Sequence, residues 1–403
     1  MMIDQTLVDR DILARAAAQA RQDRRQIHAH PELAFAEHQT AALVARRLQA
    51  MGIEVFTGIG QTGVVGRLRC GESNKAIALR ADMDALPLEE ANQFPHRSVF
   101  TGRMHACGHD GHVAMLLAAA DYLSQTKQFD GTVHFIFQPA EEGKGGAPAM
   151  LADGLFERFP SDAVYAMHNW PGLPVGQFAV NPGPMMASSN EFEIIVEGKG
   201  AHAAMPNLGI DPLFVACQIV LGLQSIITRN KRPIDAGVLS VTQIHAGDAT
   251  NIIPNQARIA GTARGYQDEV IDLIESQMAR IVDHTAQAYG AQATLCFKRN
   301  YPPTINHPAQ AAWVAEVLAG LVGEQHVLTQ IDPSMGAEDF SFMLQAKPGA
   351  YIWIGNGDGL HRAAGHGLGP CMLHNPSYDF NDDLIPLGAA CWIKLVETYL
   401  DRS

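Results

Sequence analysis

Nine consecutive residues, Met104-His105-Ala106-Cys107-Gly108-His109-Asp110-Gly111-His112, carry one thiol, three imidazoles and a carboxylate, and side chains of the same chemistry recur far downstream. These are Glu141 and Glu142 in Phe137-Gln138-Pro139-Ala140-Glu141-Glu142-Gly143, His168 in Met167-His168-Asn169-Trp170-Pro171, and His374 in Leu373-His374-Asn375-Pro376. Core packing does not produce such a density of metal-binding groups. A fold that uses them must gather distant stretches of chain at one place. Imidazole, thiolate and carboxylate together suit zinc or a neighbouring transition metal, and so many candidates point to two ions rather than one.

The pattern around these residues says how the gathering is done. Leu7 to Arg25 and Gln39 to Met51 have helical spacing, and apolar or β-branched runs follow at Gly63 to Leu68, Ala76 to Arg80, Val133 to Phe137 and Ala163 to Ala166. Such alternation predicts an α/β sheet covered by helices. Asp82 and Asp84, Glu141 and Glu142, and His168 each fall just past one of the runs, at the carboxyl ends of strands, where open α/β sheets place their sites. Cys107 and His109 instead precede a helical stretch, His112 to Ser124, whose amino-terminal dipole is expected to favour a thiolate. Near Pro182-Gly183-Pro184 the texture changes to a compact α+β segment, and Tyr301-Pro302-Pro303 marks the return. The candidates straddle that segment. Residues 1–185 and 299–403 are therefore expected to form one discontinuous domain, with 186–298 inserted.

Composition narrows the partners. A length of 403 residues favours about two domains, and 47% apolar residues allow a large core. A net charge of −13 disfavours nucleic acid and anionic membrane, which need a basic face. Met1 to Arg25 shows no apolar leader, and the longest apolar stretch, Val113 to Ala120, is too short to span a bilayer, so a soluble cytoplasmic protein is expected. Six cysteines without paired spacing do not form a disulfide framework.

Three familiar patterns fail on context. Gly58-Ile59-Gly60-Gln61-Thr62-Gly63 fits a dinucleotide fingerprint, but Val64, Val65 and Leu68 continue as a strand where a helix is required. His105 and His109 have zincin spacing, with Ala106 where the catalytic Glu belongs. Gly143-Lys144-Gly145-Gly146 lacks the Ser/Thr of a phosphate loop and reads as a turn. Adjacent Glu141 and Glu142 after a strand would point in different directions, one towards a metal and one towards its water.

With these segments the chain resembles the dinuclear metallopeptidase family of aminoacylase, carboxypeptidase G and succinyl-diaminopimelate desuccinylase. Within it, the chain is similar to the branch of hippurate hydrolases, N-acetyl-amino-acid deacetylases and auxin-conjugate amidohydrolases. The resemblance runs from Arg25-Gln26-Ile27-His28-Ala29-His30-Pro31-Glu32-Leu33 to Tyr378-Asp379-Phe380-Asn381-Asp382. Arg80 to Pro87, Gly198 to Pro206 and Met335 to Phe340 also match. It implies a zinc-peptidase-like catalytic domain, a mixed sheet covered by helices, with an inserted α+β lid and dimerisation domain, and hence a homodimer or dimer-based oligomer. It implies Cys107, His109, Glu142, His168 and His374 as ligands of two divalent ions, zinc foremost, with manganese, cobalt or nickel also suited. Glu141 would be the general base acting on a metal-bound water. His202 would polarise the scissile carbonyl in the partner subunit's site, Asn251 would contact substrate, and Arg264 would clamp its α-carboxylate. The wider family opens with HxD and bridges its metals with an Asp; here Asp82-Met83-Asp84 stands in the first place and a Cys enters the ligand run. The activity implied is hydrolysis of small N-acyl amino acids to a carboxylate and a free amino acid, with dipeptidase or carboxypeptidase action on the same site as the alternative.

Overall fold

The computed structural model describes residues 8–358 and 371–401. The chain divides into two compact units, one of Met1–Met185, Ile305–Asp332 and Asp339–Ser403, the other of Met186–Thr304 and Pro333–Glu338. The second unit thus takes in residues 299–304 and a short return at 333–338. Ala187 N–H reaches Ser334 O and Gly336 O, and the Tyr266 hydroxyl donates to Pro333 O.

The first unit is built on an eight-stranded sheet, in spatial order Glu54–Ile59, Gly63–Cys70, Gly131–Gln138, Ala76–Asp82, Ala163–Pro171, Gly349–Gly357, Phe178–Ala179 and Val327–Leu328. Its four middle strands are mutually parallel. Parallel strands are covered on both faces, and Ala76–Asp82 is accordingly buried at every position. Helices Arg10–Ala29, His109–Thr126 and Leu384–Tyr399 pack together over the sheet. Asp9 caps the first of them by accepting from Asp11 N and Ile12 N, while Leu7, expected in that helix, lies outside the described residues. The middle helix is buried on all sides from His109 to Ala120, which explains why that run is apolar without helical alternation.

Gly58 to Gly63 form a hairpin turn: Ile59 pairs with Gly63, and the strands on either side run antiparallel. A dinucleotide cradle needs a strand followed by a helix, so none exists here. Two strands take in a candidate expected just past them, and Ala76–Asp82 includes Asp82 as its last residue. Ala163–Pro171 continues through His168, which pairs in parallel register with Trp353, so His168 lies within a strand rather than after one. A buried polar stretch ends a hydrophobic pattern without ending the ladder of backbone hydrogen bonds.

The second unit is a four-stranded antiparallel sheet, in order Gly237–Ala246, Gln256–Gly265, Ser189–Glu197 and Gln292–Tyr301, with helices Pro212–Ser225 and Asp268–Ala288 packed on it. Ser189–Glu197 alternates between buried and outward residues, as a sheet covered on one face must. Asp211 caps the first helix, and Pro212 occupies its first turn. The stretch Pro212–Asn230, not Val113 to Ala120, is long and apolar enough to cross a membrane, with mean hydropathy 1.4. Its Val215, Ala216, Ile219 and Leu223 are buried in the core of this unit, whereas Leu213, Phe214 and Leu221 are exposed.

Candidate metal centre

The carboxyl ends of the middle strands meet the amino end of helix His109–Thr126, and the metal-binding side chains collect there. Gly108, with φ of +94°, lets the chain turn from Cys107 into the helix; a Cβ at Gly108 would lie 2.3 Å from Asn169 Oδ1 and 2.8 Å from the Tyr378 hydroxyl. The ligand atoms of Cys107, His109 and His168 lie within 4.8 Å of one another, and so do those of Cys107, Glu142 and His374. All five expected ligands thus fall into two triads that share the Cys107 sulfur. His109, Glu141 and Glu142 form a further group at the same spacing, as do Asp82, His109 and His112.

Two of the three rings are oriented by their other nitrogen. His109 Nδ1 donates to Asp84 O at 2.9 Å, and His168 Nδ1 to Asn169 O at 2.7 Å, so both imidazoles offer Nε2 to the site. His168 Nε2 is 3.4 Å from Cys107 Sγ, and His374 Nε2 is 3.2 Å from Glu142 Oε1. His374 sits on a loop with φ of +65°, tied to the Cys107 segment by its N–H to Ala106 O at 2.7 Å.

The protein groups fit a cation. Buried His109 Nε2 has no hydrogen-bond partner among the described residues. Burial alone would lower the His109 pKa, but Asp82 and Asp84 outweigh it and lift it to about 10, so without an ion the carboxylates recruit a proton. Burial, helped by His112, holds His168 well below the ordinary imidazole range, as a neutral ligand should be. The expectation that the helix dipole favours a Cys107 thiolate does not hold for the protein groups by themselves. Burial, then Glu142, Glu141 and Asp82, push this thiol well above its usual value, and only a nearby cation reverses that.

Several residues complete the centre that the sequence did not mark for this work. The Asp84 carboxylate accepts Glu141 N–H at 3.0 Å on one oxygen and Glu142 N–H at 2.9 Å on the other. It therefore fixes the backbone from which both glutamates project. Asp82 is held on both oxygens: Arg80 Nη1 is 2.7 Å from one and His112 Nδ1 2.5 Å from the other. The only signal of these roles is that Asp82 and Asp84 are acids in an otherwise apolar run.

In the second unit, His202 and Asn251 are adjacent. His202 pairs with Ile252, and Ala203 N–H donates to Asn251 O, at the edge of a hollow of about 480 Å³ lined also by Gly200, Ile253 and Asn255. His202 Nδ1 accepts Ala204 N–H at 3.1 Å, so the neutral ring carries its proton on Nε2, as a donor. Arg264 lies on strand Gln256–Gly265, opposite Val238 and half-buried, with Glu191 as its nearby acid.

Imidazoles, a thiol and paired carboxylates at the strand ends of an α/β sheet, with an α+β insertion, define a metal-dependent hydrolase. The chain belongs to peptidase family M20/M25/M40, whose profile matches residues 78–398. It is 42% identical over 377 residues to a hippurate hydrolase of Campylobacter jejuni, covering 94% of this chain and 95% of that one. It is 40% identical over 388 residues to thermostable carboxypeptidase 1 of Saccharolobus solfataricus, covering 94% and 95%. A dinuclear metal-binding peptidase of the family from Bacillus subtilis superposes with a TM-score of 0.82 at 32% identity, covering 97% of this chain and all of that one. The protein is an amide-bond hydrolase.

Proposed function

We propose that the protein hydrolyses small N-acyl amino acids, of the hippurate or N-acetyl kind, at a dinuclear centre held by Cys107, His109, Glu142, His168 and His374. The observation that carries this is the pair of triads sharing Cys107, with Glu141 beside His109 and Glu142. Ions bound there supply Lewis acidity to the scissile carbonyl and acidify a water. Zinc suits the thiolate best; manganese, cobalt and nickel suit the remaining imidazole and carboxylate ligands. Glu141, as general base, takes the proton of the attacking water and delivers it to the leaving nitrogen, because an amine departs poorly unless protonated. The Nε2–H of His202 stabilises the developing oxyanion, Asn251 binds the substrate amide, and the planar fork of Arg264 pairs with the α-carboxylate.

The second unit serves as lid and dimerisation domain in this reading. Exposed Leu213, Phe214 and Leu221 lie on its first helix, and Ile244 lies on its edge strand Gly237–Ala246; between them runs a groove of about 660 Å³ lined by Cys217, Val220, Leu221 and Leu239. Apolar surface beside an open strand edge suits a second copy of the chain. A cytoplasmic location agrees with six cysteines of which none is in a disulfide, since a thiolate ligand survives best where thiols stay reduced.

The alternative, peptidase action on the same centre, is favoured by the likeness to the carboxypeptidase. Turnover of hippurate, N-acetyl amino acids and dipeptides by zinc- and manganese-loaded protein separates the two. Acyl amino acids are expected to be cleaved with the higher kcat/KM; cleavage of dipeptides alone would reverse the assignment.

A further inference from the structure

Five non-glycine residues among those described have φ in the left-handed region: Phe35, Gln61, Lys127, Ala140 and His374. Two of them donate their N–H to one buried carboxylate. Glu37 Oε1 accepts from Phe35 N at 3.0 Å and from Ala140 N at 2.9 Å, while its Oε2 accepts from the hydroxyl of Thr62, the neighbour of Gln61, at 2.5 Å. Non-glycine backbone persists in this conformation only where its surroundings over-determine it, and such sites cluster where function needs them. Glu37 is fully buried and belongs to none of the metal-binding groups.

Ala140 immediately precedes Glu141, and its φ of +53° aims the next two amides at Asp84. Three successive N–H groups, of residues 140, 141 and 142, are thus captured by two carboxylates. Asp84 holds two of these points, which by themselves leave the segment free to swing about the line joining them. The third point, on Glu37, removes that freedom. Downstream the loop is closed by Gly146 N–H to Ala140 O at 3.0 Å and Ala147 N–H to Asp339 Oδ2 at 2.9 Å. A Cβ at Gly146 would lie 1.6 Å from Pro139 O, so the chain passes here too closely for any side chain.

We infer that Glu37 is a positioning residue for the reaction: by holding Ala140 in its left-handed turn, with Thr62 aiming the carboxylate, it sets the direction of Glu141 and Glu142. This rests on the assignment of Glu141 as general base. Once the Ala140 N–H is released, the turn relaxes and both glutamate side chains move relative to His109.

The test compares purified, zinc-loaded wild type with Glu37→Ala, Glu37→Gln, Thr62→Val and Glu141→Gln. The readouts are thermal unfolding, zinc affinity by chelator competition, and kcat and KM for the best substrate of the panel above. Glu37→Ala should lose about 100-fold in kcat, the scale of an ångström-sized misplacement. KM should stay within about threefold, since uniform substrate binding is untouched. Zinc affinity should fall about tenfold, as when an outer partner of a ligand is lost. Glu37→Gln keeps an acceptor oxygen for Ala140 and should restore kcat to within about threefold of wild type. If Glu37→Ala does not fold, Thr62→Val carries the test, with kcat expected to fall about fivefold and unchanged kcat overturning the inference. A purely structural role predicts a lower melting temperature with wild-type kcat and zinc affinity in the folded protein, and that result would overturn it as well. Full activity of Glu37→Ala beside an inactive Glu141→Gln refutes the positioning role alone, whereas an active Glu141→Gln refutes the base assignment beneath it.

Discussion

Replacing Asp84 by Asn changes one atom and should loosen the whole centre. The carboxylate, 1% exposed, receives the N–H groups of Glu141 and Glu142 on separate oxygens. An asparagine offers one acceptor oxygen and turns an NH2 towards the second amide. One charge-assisted hydrogen bond, worth roughly 1.5–3 kcal/mol, is replaced by two opposed donors. The negative charge 3.3 Å from His109 Nδ1 also disappears, which weakens this imidazole as a ligand. With tenfold per about 1.4 kcal/mol, zinc affinity should fall about 10- to 100-fold, with a parallel loss of kcat from the displaced Glu141. Competition against a chromophoric chelator measures the first, and initial rates at saturating substrate the second. Wild-type zinc affinity and kcat in Asp84→Asn would refute the claim that this carboxylate sets the two glutamates.

Cys107→Ser keeps the volume but offers a harder ligand to both triads, so zinc affinity should fall by more than about tenfold, the cost of losing an outer partner alone; unchanged zinc stoichiometry and turnover would exclude a thiolate ligand. Burial alone would lower the His28 pKa, but Asp110 at 2.8 Å and Glu90 at 3.1 Å lift it to about 9. A raised pKa means that its contribution, on the order of 3 kcal/mol at most, is fully present below about pH 6.5 and is lost as pH rises through about 9. Urea unfolding from pH 6.5 to 9.5 should show this decline in wild type and not in His28→Gln; equal slopes would contradict it. Mixing His202→Ala with Glu141→Gln protomers should restore about a quarter of wild-type activity, because random pairing gives half mixed dimers with one complete site each. No recovery in confirmed mixed dimers would place His202 outside the neighbouring site.

Much of the catalytic unit was legible because parallel strands buried on both faces read as unbroken apolar runs, and polar residues just beyond them stand out. That is how Glu141 and Glu142 were located, and how Cys107 and His109 declared themselves at a helix start. The same logic misplaced His168: its strand continues through a polar stretch that only the paired backbone of Gly349–Gly357 reveals. The grip of Asp84 on two amides was hidden, since no pattern tells whether a buried acid faces a metal, a base or the backbone. Glu37 was equally silent, its partners lying at residues 35, 62 and 140. The helix dipole at Cys107 is legible in sequence, whereas the burial and the carboxylates that raise its thiol in the absence of an ion arrive only through the fold. The extent of the second unit was understated because residues 333–338 join it through backbone bonds to Met186 and Ala187 that carry no side-chain signal.

The division of labour between two adjacent, chemically identical side chains is tested most directly by metal content and turnover measured on the same preparations of Glu141→Gln and Glu142→Gln. Glu141→Gln should retain its ions and lose several orders of magnitude in kcat, because a proton carrier has gone while ligation persists. Glu142→Gln should lose metal first, with activity following the loss. Equal metal retention in both, with turnover abolished only by the change at Glu142, would contradict the assignment of base and ligand.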